Sequence, residues 1–325
     1  MVHLKGNAIT VNGLAKNFGD VRALVDVSFE VRDGELFGFL GPNGAGKTTT
    51  INIITGLAKA DGGTASVAGM DCVKHPKSAQ YLMGVVPDES NLYPELSGYE
   101  NLCFCGALYG MSRKDRASRA DELLELFGLK EAAGRKFAGY SSGMKRKMTI
   151  AAGIIHNPPI LFLDEPTTGI DVASARQIRR LIVELNRTGT TIFLTTHYIE
   201  EAERVCERVA FIVSGSVVEM DTVDNLMRQA QGRFTVEFVV EGEHSIFTQE
   251  LVSALPESEW ETVAGGIYRV SANSPVNIGP IVRFFENRGL EVAEARRVRP
   301  SLEDVFVRIT GLDVEEMKKE KARGV

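Results

Sequence analysis

"GPNGAGKTTT", residues 41–50, decides the fold. Gly41, Gly46, Lys47 and Thr48 fill the four defining places of the pattern G-x-x-x-x-G-K-[ST]. The preceding "GELFGFL" (34–40) is a short apolar run suited to a buried parallel strand, and "TTTINIITGL" from Thr48 reads as helix. Strand, glycine-rich loop and helix in that order form a phosphate cradle. The glycines let the backbone turn its N–H groups inward, and the new helix adds unpaired N–H groups and a positive dipole end. Gly41, Pro42, Asn43, Gly44, Ala45, Gly46, Lys47, Thr48 and Thr49 are the expected phosphate-binding residues. Lys47 supplies a point charge for the outer phosphates, and Thr48 offers its hydroxyl to Mg2+, a cation that prefers hard oxygens.

The rest of the chain sets bounds on this reading. Its 325 residues suggest two domains, and 44% hydrophobic with 25% charged residues is ordinary for a globular protein. No apolar run approaches the ~20 residues that cross a bilayer. "MVHLKGNAIT" lacks the charged-then-apolar plan of a signal peptide, so a cytoplasmic location is expected. A net charge of −6 argues against broad nucleic-acid binding. Cys72, Cys103, Cys105 and Cys206 are scattered, without metal-binding spacing, and read as reduced thiols.

Strand-like runs followed by helical patterns fill the first 220 or so residues, and the character then changes, with a boundary expected near Gln229. Beyond it "RFTVEFVV" alternates as a strand and "SIFTQELVSAL" is helical. "WETV" and "IYRVSA" flank Gly265-Gly266 as a hairpin, and "SPVNIGPIVRFFENRG" gives a helix starting beyond its prolines and closed by Gly289. "LEVAEARRVR" is a further strand, whose Arg296, Arg297 and the nearby Arg299 read as a charged, exposed edge, the alternative being a surface for a partner or anionic headgroups. The order β-α-β-β-α-β is that of a ferredoxin-like α+β sandwich. "SLED" from Ser301 resembles a capping box and opens a last helix, followed by a charged tail, 312–325.

Two further strands end in reactive groups. "ILFLDEP" (160–166) is apolar and closes on adjacent carboxylates. Successive strand positions face opposite sides, so Asp164 can hold the metal while Glu165 faces an attacking water as general base. "TIFLTTH" (191–197) delivers His197 to the same sheet edge, because parallel α/β sheets bind ligands at the carboxyl ends of their strands.

Together these motifs resemble the nucleotide-binding subunit of an ABC transporter, over essentially residues 7–225. The resemblance implies a P-loop NTPase cassette, α/β in class. It has a RecA-like core, an antiparallel β subdomain and a helical subdomain at about 95–158, residues 95–140 matching the family's helical subdomain. The cassette would span 1–228, followed by the small ferredoxin-like domain at 229–311. "YSSGMKRKM" (140–148) stands at the family's signature motif, so Ser141 and Gly143 would bind the γ-phosphate of an ATP held by a second subunit's phosphate loop. Phe18 matches the ring that stacks on adenine, Asp171 the loop between the two sites, and His197 the γ-phosphate switch. Catalysis would rest on Glu165, His197 and Lys47, and Mg2+ on Thr48, Asp88 and Asp164.

The sequence departs from the family pattern at Tyr140, Ser142 and Met144, where Leu, Gly and Gln are common, and at Asp88 in "VVPDES", where most members carry Gln. "PSLEDVFVRITG" from Pro300 looks like the end of the accessory domain of daunorubicin-type export ATPases. The implied function is an ATP-hydrolysing motor subunit, most simply a homodimer. It would drive a separate polytopic membrane permease from the inner face of the membrane, for export. The alternatives are a soluble ABC ATPase regulator and a non-transport ABC protein. Against the latter, the chain carries neither a second cassette, nor a coiled-coil insertion, nor zinc modules.

Overall fold

A computed structural model describes residues 6–230, 234–241, 258–264, 266–298 and 301–312. The chain divides into two compact units, and the second is Asp224–Arg308. The division falls after Val223, ahead of the expected boundary at 228.

In the first unit a central parallel set lies at the heart of a sheet. Strands β3 (Leu36–Leu40), β7 (Ile160–Asp164) and β8 (Thr191–Thr196) are buried at every position, which fits their apolar or β-branched sequences, Asp164 at the end of β7 being the exception. They run in the order β3-β8-β7, with β6 (Met83–Val86) beyond β7 and β9 (Arg208–Val213) on the other side of β3, all in parallel. The register pairs Leu40 with Thr196 and Asp164 with Thr195. The three chain segments that follow these strands therefore leave the sheet at one level.

The remaining strands are antiparallel. β1 (Asn7–Phe18) pairs with β2 (Val21–Arg32) and with β4 (Gly62–Val67), which carries the short β5 (Met70–Asp71). β10 (Ser216–Thr222) is antiparallel to β9 and meets β2 through a parallel Ser216–Asp26 pairing. The ring of Phe29 from β2 lies 5.8 Å from Phe37 and 5.5 Å from Phe193, joining both sheet regions in one core. Each such ring contributes about 1.5–3 kcal/mol by leaving water.

Helices α1 (Lys47–Ile54) and α2 (Pro76–Tyr81) precede a helical segment of α3 (Gly98–Leu108), α4 (Arg113–Leu126) and α5 (Ser142–Gly153). Serines start all three helices of that segment. Ser97 and Glu100 form a reciprocal capping box, and Ser112 and Ser141 accept from Asp115 N–H and Met144 N–H. After β7 comes α6 (Val172–Arg187), capped by Asp171, and after β8 comes α7 (Ile199–Val205).

The second unit opens on α8 (Val223–Ala230) and contains a four-stranded antiparallel sheet, β12-β13-β11-β14. The strands are β11 (Phe234–Glu241), β12 (Ser258–Ala264), β13 (Ile267–Ala272) and β14 (Glu291–Val298). Val236, Phe238 and Val240 alternate into a core closed by Ile281 and Phe285 of α9 (Ile278–Glu286). This helix includes Pro280, contrary to the expected start beyond the prolines. Pro280 lies in its first turn, where a missing N–H costs nothing. On β14, an edge strand, Arg296 pairs with Glu237 at 2.6 Å, and Arg269 reaches the same carboxylate from β13. The expected capping box forms, Ser301 and Asp304 bonding each other's backbone ahead of α10 (Leu302–Thr310). The expected helix in "SIFTQELVSAL", Arg299 and nearly all of the 312–325 tail lie outside the described residues.

Candidate active site

The phosphate loop runs from β3 into α1 on unusual backbone. Gly44 and Gly46 have φ of 78° and 107°, and a Cβ on Gly46 would stand 2.7 Å from the carbonyl of Ala23. A side chain there would force the loop outward, so glycine is required by both conformation and space. Lys47 turns back over the loop, its Nζ donating to the carbonyls of Gly41 at 2.7 Å and Pro42 at 3.1 Å. The carboxylate of Glu165 stands 3.2 Å from the same nitrogen.

Glu165 has two neighbours of opposite kind. Its Oε1 faces Lys47 without a directed hydrogen bond, and its Oε2 accepts from Thr168 Oγ1 at 3.1 Å and lies 2.9 Å from His197 Nδ1. Burial raises the carboxyl pKa, but His197 and Lys47 outweigh it and hold the group below the ordinary carboxylate range. Glu165 is therefore ionised at neutral pH. The residue sits at φ 48°, in the left-handed region, with its N–H donating to the Thr195 carbonyl at 3.1 Å. Such a conformation costs about 1–3 kcal/mol in a residue with a side chain.

Asp164 points elsewhere. Its Oδ2 accepts from Thr48 Oγ1 at 2.8 Å, and its Oδ1 accepts from Thr195 Oγ1. Thr48 and Asp164 thus present two hard oxygens side by side, a donor set that suits Mg2+. Among the described residues no group of three His, Cys, Asp or Glu forms a protein-only metal cage. Mg2+ commonly keeps water and phosphate oxygens among its ligands, so a partial set of this kind fits it.

The other expected residues are placed as follows. Phe18, at the end of β1, is 54% exposed, with Lys16 Nζ 5.2 Å over its ring, so a ring face is accessible at the surface. Ser141 is exposed at the start of α5, whereas Gly143 packs so tightly on α6 that a Cβ would lie 2.2 Å from Ser174 Oγ. Tyr140 is buried and donates to the Ala132 carbonyl at 2.7 Å, so this replacement for Leu works as a packing residue. Asp88 Oδ1 stands 4.0 Å from Arg146 Nη2.

Sequence reasoning passed over three participants. Thr195 bonds both Asp164 and the Glu165 N–H. Glu201 on α7 accepts from Thr167 Oγ1 and from Arg179 of α6 at 2.6 Å, tying the segment after Glu165 to the helix after His197. Arg146 is buried in α5 between the more exposed Lys145 and Lys147. Helical spacing offered a signal for it, since Gly143, Arg146 and Ile150 share a face.

A family model described as "ABC transporter" matches residues 24–168. The doxorubicin resistance ATP-binding protein DrrA of Mycobacterium tuberculosis is 37% identical over 310 residues, covering 93% of each chain. The linearmycin resistance ATP-binding protein LnrL of Bacillus subtilis is 39% identical over 239 residues, 74% of this chain and 77% of that protein. Among solved structures, a dimeric ATP-binding cassette in a post-hydrolysis state, bound to ADP and Pi, superposes with a TM-score of 0.61. It is 28% identical and covers 66% of this chain and 98% of its own.

Proposed function

This chain belongs to the ATP-binding subunits of ABC transporters, and from that membership we infer that it hydrolyses ATP in pairs to drive a separate membrane permease in the export direction. The observation that carries the catalytic reading is the single carboxylate of Glu165 meeting both Lys47 and His197 at the phosphate loop. Residues 41–49 wrap the phosphates, Lys47 neutralises the outer ones, and Phe18 stacks on the adenine. Thr48 and Asp164, with Asp88, would hold Mg2+, which when bound would neutralise charge on the phosphate oxygens. Glu165 takes the proton of the attacking water, and His197 orients Glu165 and contacts the γ-phosphate.

Each nucleotide is closed by Ser141 and Gly143 of the second subunit, most simply another copy of this chain. The dimeric relative and the exposed position of Ser141 support this arrangement. None of the described helices is long and apolar enough to cross a membrane, and in this reading the subunit works at the cytoplasmic face of a separate permease. Export rests on the resistance relatives. In this reading the domain that follows the cassette tunes assembly. It takes no part in the chemistry.

The test is turnover and assembly together. Purified chain should hydrolyse Mg-ATP, Lys47→Ala should abolish this, and Glu165→Gln should sediment as a dimer with Mg-ATP. An ATP-saturated Glu165→Gln chain that stays monomeric at high protein concentration would refute the paired site.

A further inference from the structure

Arg146 lies one helical turn beyond Gly143, with a side chain only 6% exposed. Its guanidinium donates from Nε to the Pro166 carbonyl at 2.8 Å, from Nη1 to the carbonyls of Pro87 and, at 3.0 Å, Asp88, and from Nη2 to those of Asp164, at 2.8 Å, and Glu165. Five contacts match the five N–H donors of an arginine fork. The acceptors belong to two chain segments, the 87–88 loop after β6 and the 164–166 turn after β7. The Asp88 carboxylate, 4.0 Å away, is partly exposed, so the desolvated cation depends mainly on carbonyl dipoles.

The Glu165 peptide is consequently pinned from both sides. Thr195 receives its N–H, and Arg146 donates to its C=O. Between those anchors Glu165 holds its left-handed φ of 48°, and that backbone angle sets where the carboxylate points. We propose that Arg146 is a positioning residue for ATP hydrolysis, holding the Glu165 peptide at the angle that aims its carboxylate and linking it rigidly to the helix that carries Ser141 and Gly143. The proposal rests on the reading of Glu165 as the general base. Neither Lys nor Gln can reproduce the fork. An ammonium offers three donors at one point, and an amide offers two without charge.

Arg146→Lys and Arg146→Gln, each alone and with Glu165→Gln, separate this role from a merely structural one. The quantities to measure are kcat and KM for Mg-ATP and the affinity for a non-hydrolysable ATP analogue. With the base misaimed by about 1 Å, kcat should fall about 100-fold. KM and analogue affinity should change by less than about threefold, because the phosphate loop is untouched. In the Glu165→Gln background the same substitutions should cost no further turnover, since no carboxylate remains to be aimed. An unchanged kcat, a parallel loss of kcat and analogue affinity, or an equal loss in both backgrounds would overturn the proposal. So would failure of both variants to yield a folded chain that binds the analogue. Failure of the underlying reading looks different: Glu165→Gln alone would then turn over ATP at the native rate.

Discussion

Replacing Glu165 by Gln should tighten nucleotide binding while it stops hydrolysis. The Glu165 carboxylate stands 3.2 Å from Lys47 and 2.9 Å from His197, the two groups proposed to meet the γ-phosphate. Two unit charges 3.2 Å apart attract by about 5 kcal/mol at an effective dielectric of about 20 and by about 1.3 kcal/mol in water. Lys47 keeps the Gly41 and Pro42 carbonyls after the substitution, which returns part of that energy. The net competition removed is therefore on the order of 1.5–3 kcal/mol, or about 10- to 150-fold in affinity. Loss of the base should lower kcat by about 100- to 10,000-fold. Calorimetric titration of both chains with the same non-hydrolysable analogue and Mg2+ measures the first effect, and phosphate release from ATP the second. Equal or weaker analogue binding by Glu165→Gln would show that the carboxylate does not compete for Lys47.

Two further tests address groups away from the phosphate loop. His156 stacks on Tyr109 with ring centroids 3.5 Å apart and its Nε2 lies 3.1 Å from the Met83 carbonyl, and burial pushes its pKa down to about 4. Below about pH 6.5 the unfolded chain takes up a proton that the folded chain refuses, so stability present above that pH is lost as the pH falls towards about 4. Between pH 7 and 5 this costs about 1–2 kcal/mol, or a few degrees in unfolding midpoint. His156→Gln should flatten that drop, and identical pH profiles of the two midpoints would refute the assignment. At Asp88, Asp88→Gln should stay active with a shallower dependence of ATPase rate on Mg2+, whereas Asp88→Ala should lose metal affinity. Superimposable Mg2+ curves for the native chain and both variants would remove Asp88 from the metal site.

The phosphate loop was legible in the sequence because its requirements are local. Gly44 and Gly46 are needed for backbone angles, Lys47 for charge and Thr48 for a hydroxyl, all within one turn between a strand and a helix. The strands ending at Asp164 and Thr196 were legible for a similar reason, since unbroken apolar or β-branched runs of four (160–163) and six (191–196) residues favour burial. The different directions of the Asp164 and Glu165 carboxylates followed in outline from strand alternation. Their separation in the structure owes as much to the left-handed turn at Glu165, which no propensity announces. The boundary was harder to read. The helical pattern of α8 is visible, but nothing local says that Val223–Ala230 opens the second unit. Arg146 was hidden for the same physical reason. Within "MKRKM" it looks like one of three solvated cations, and only the assembled fold brings the carbonyls of residues 87–88 and 164–166 around it. Local sequence determines which groups are chemically able to act. Which carbonyls surround a buried cation depends on contacts between residues 18 to 59 positions apart, and these exist only once β6, β7 and α5 have packed together.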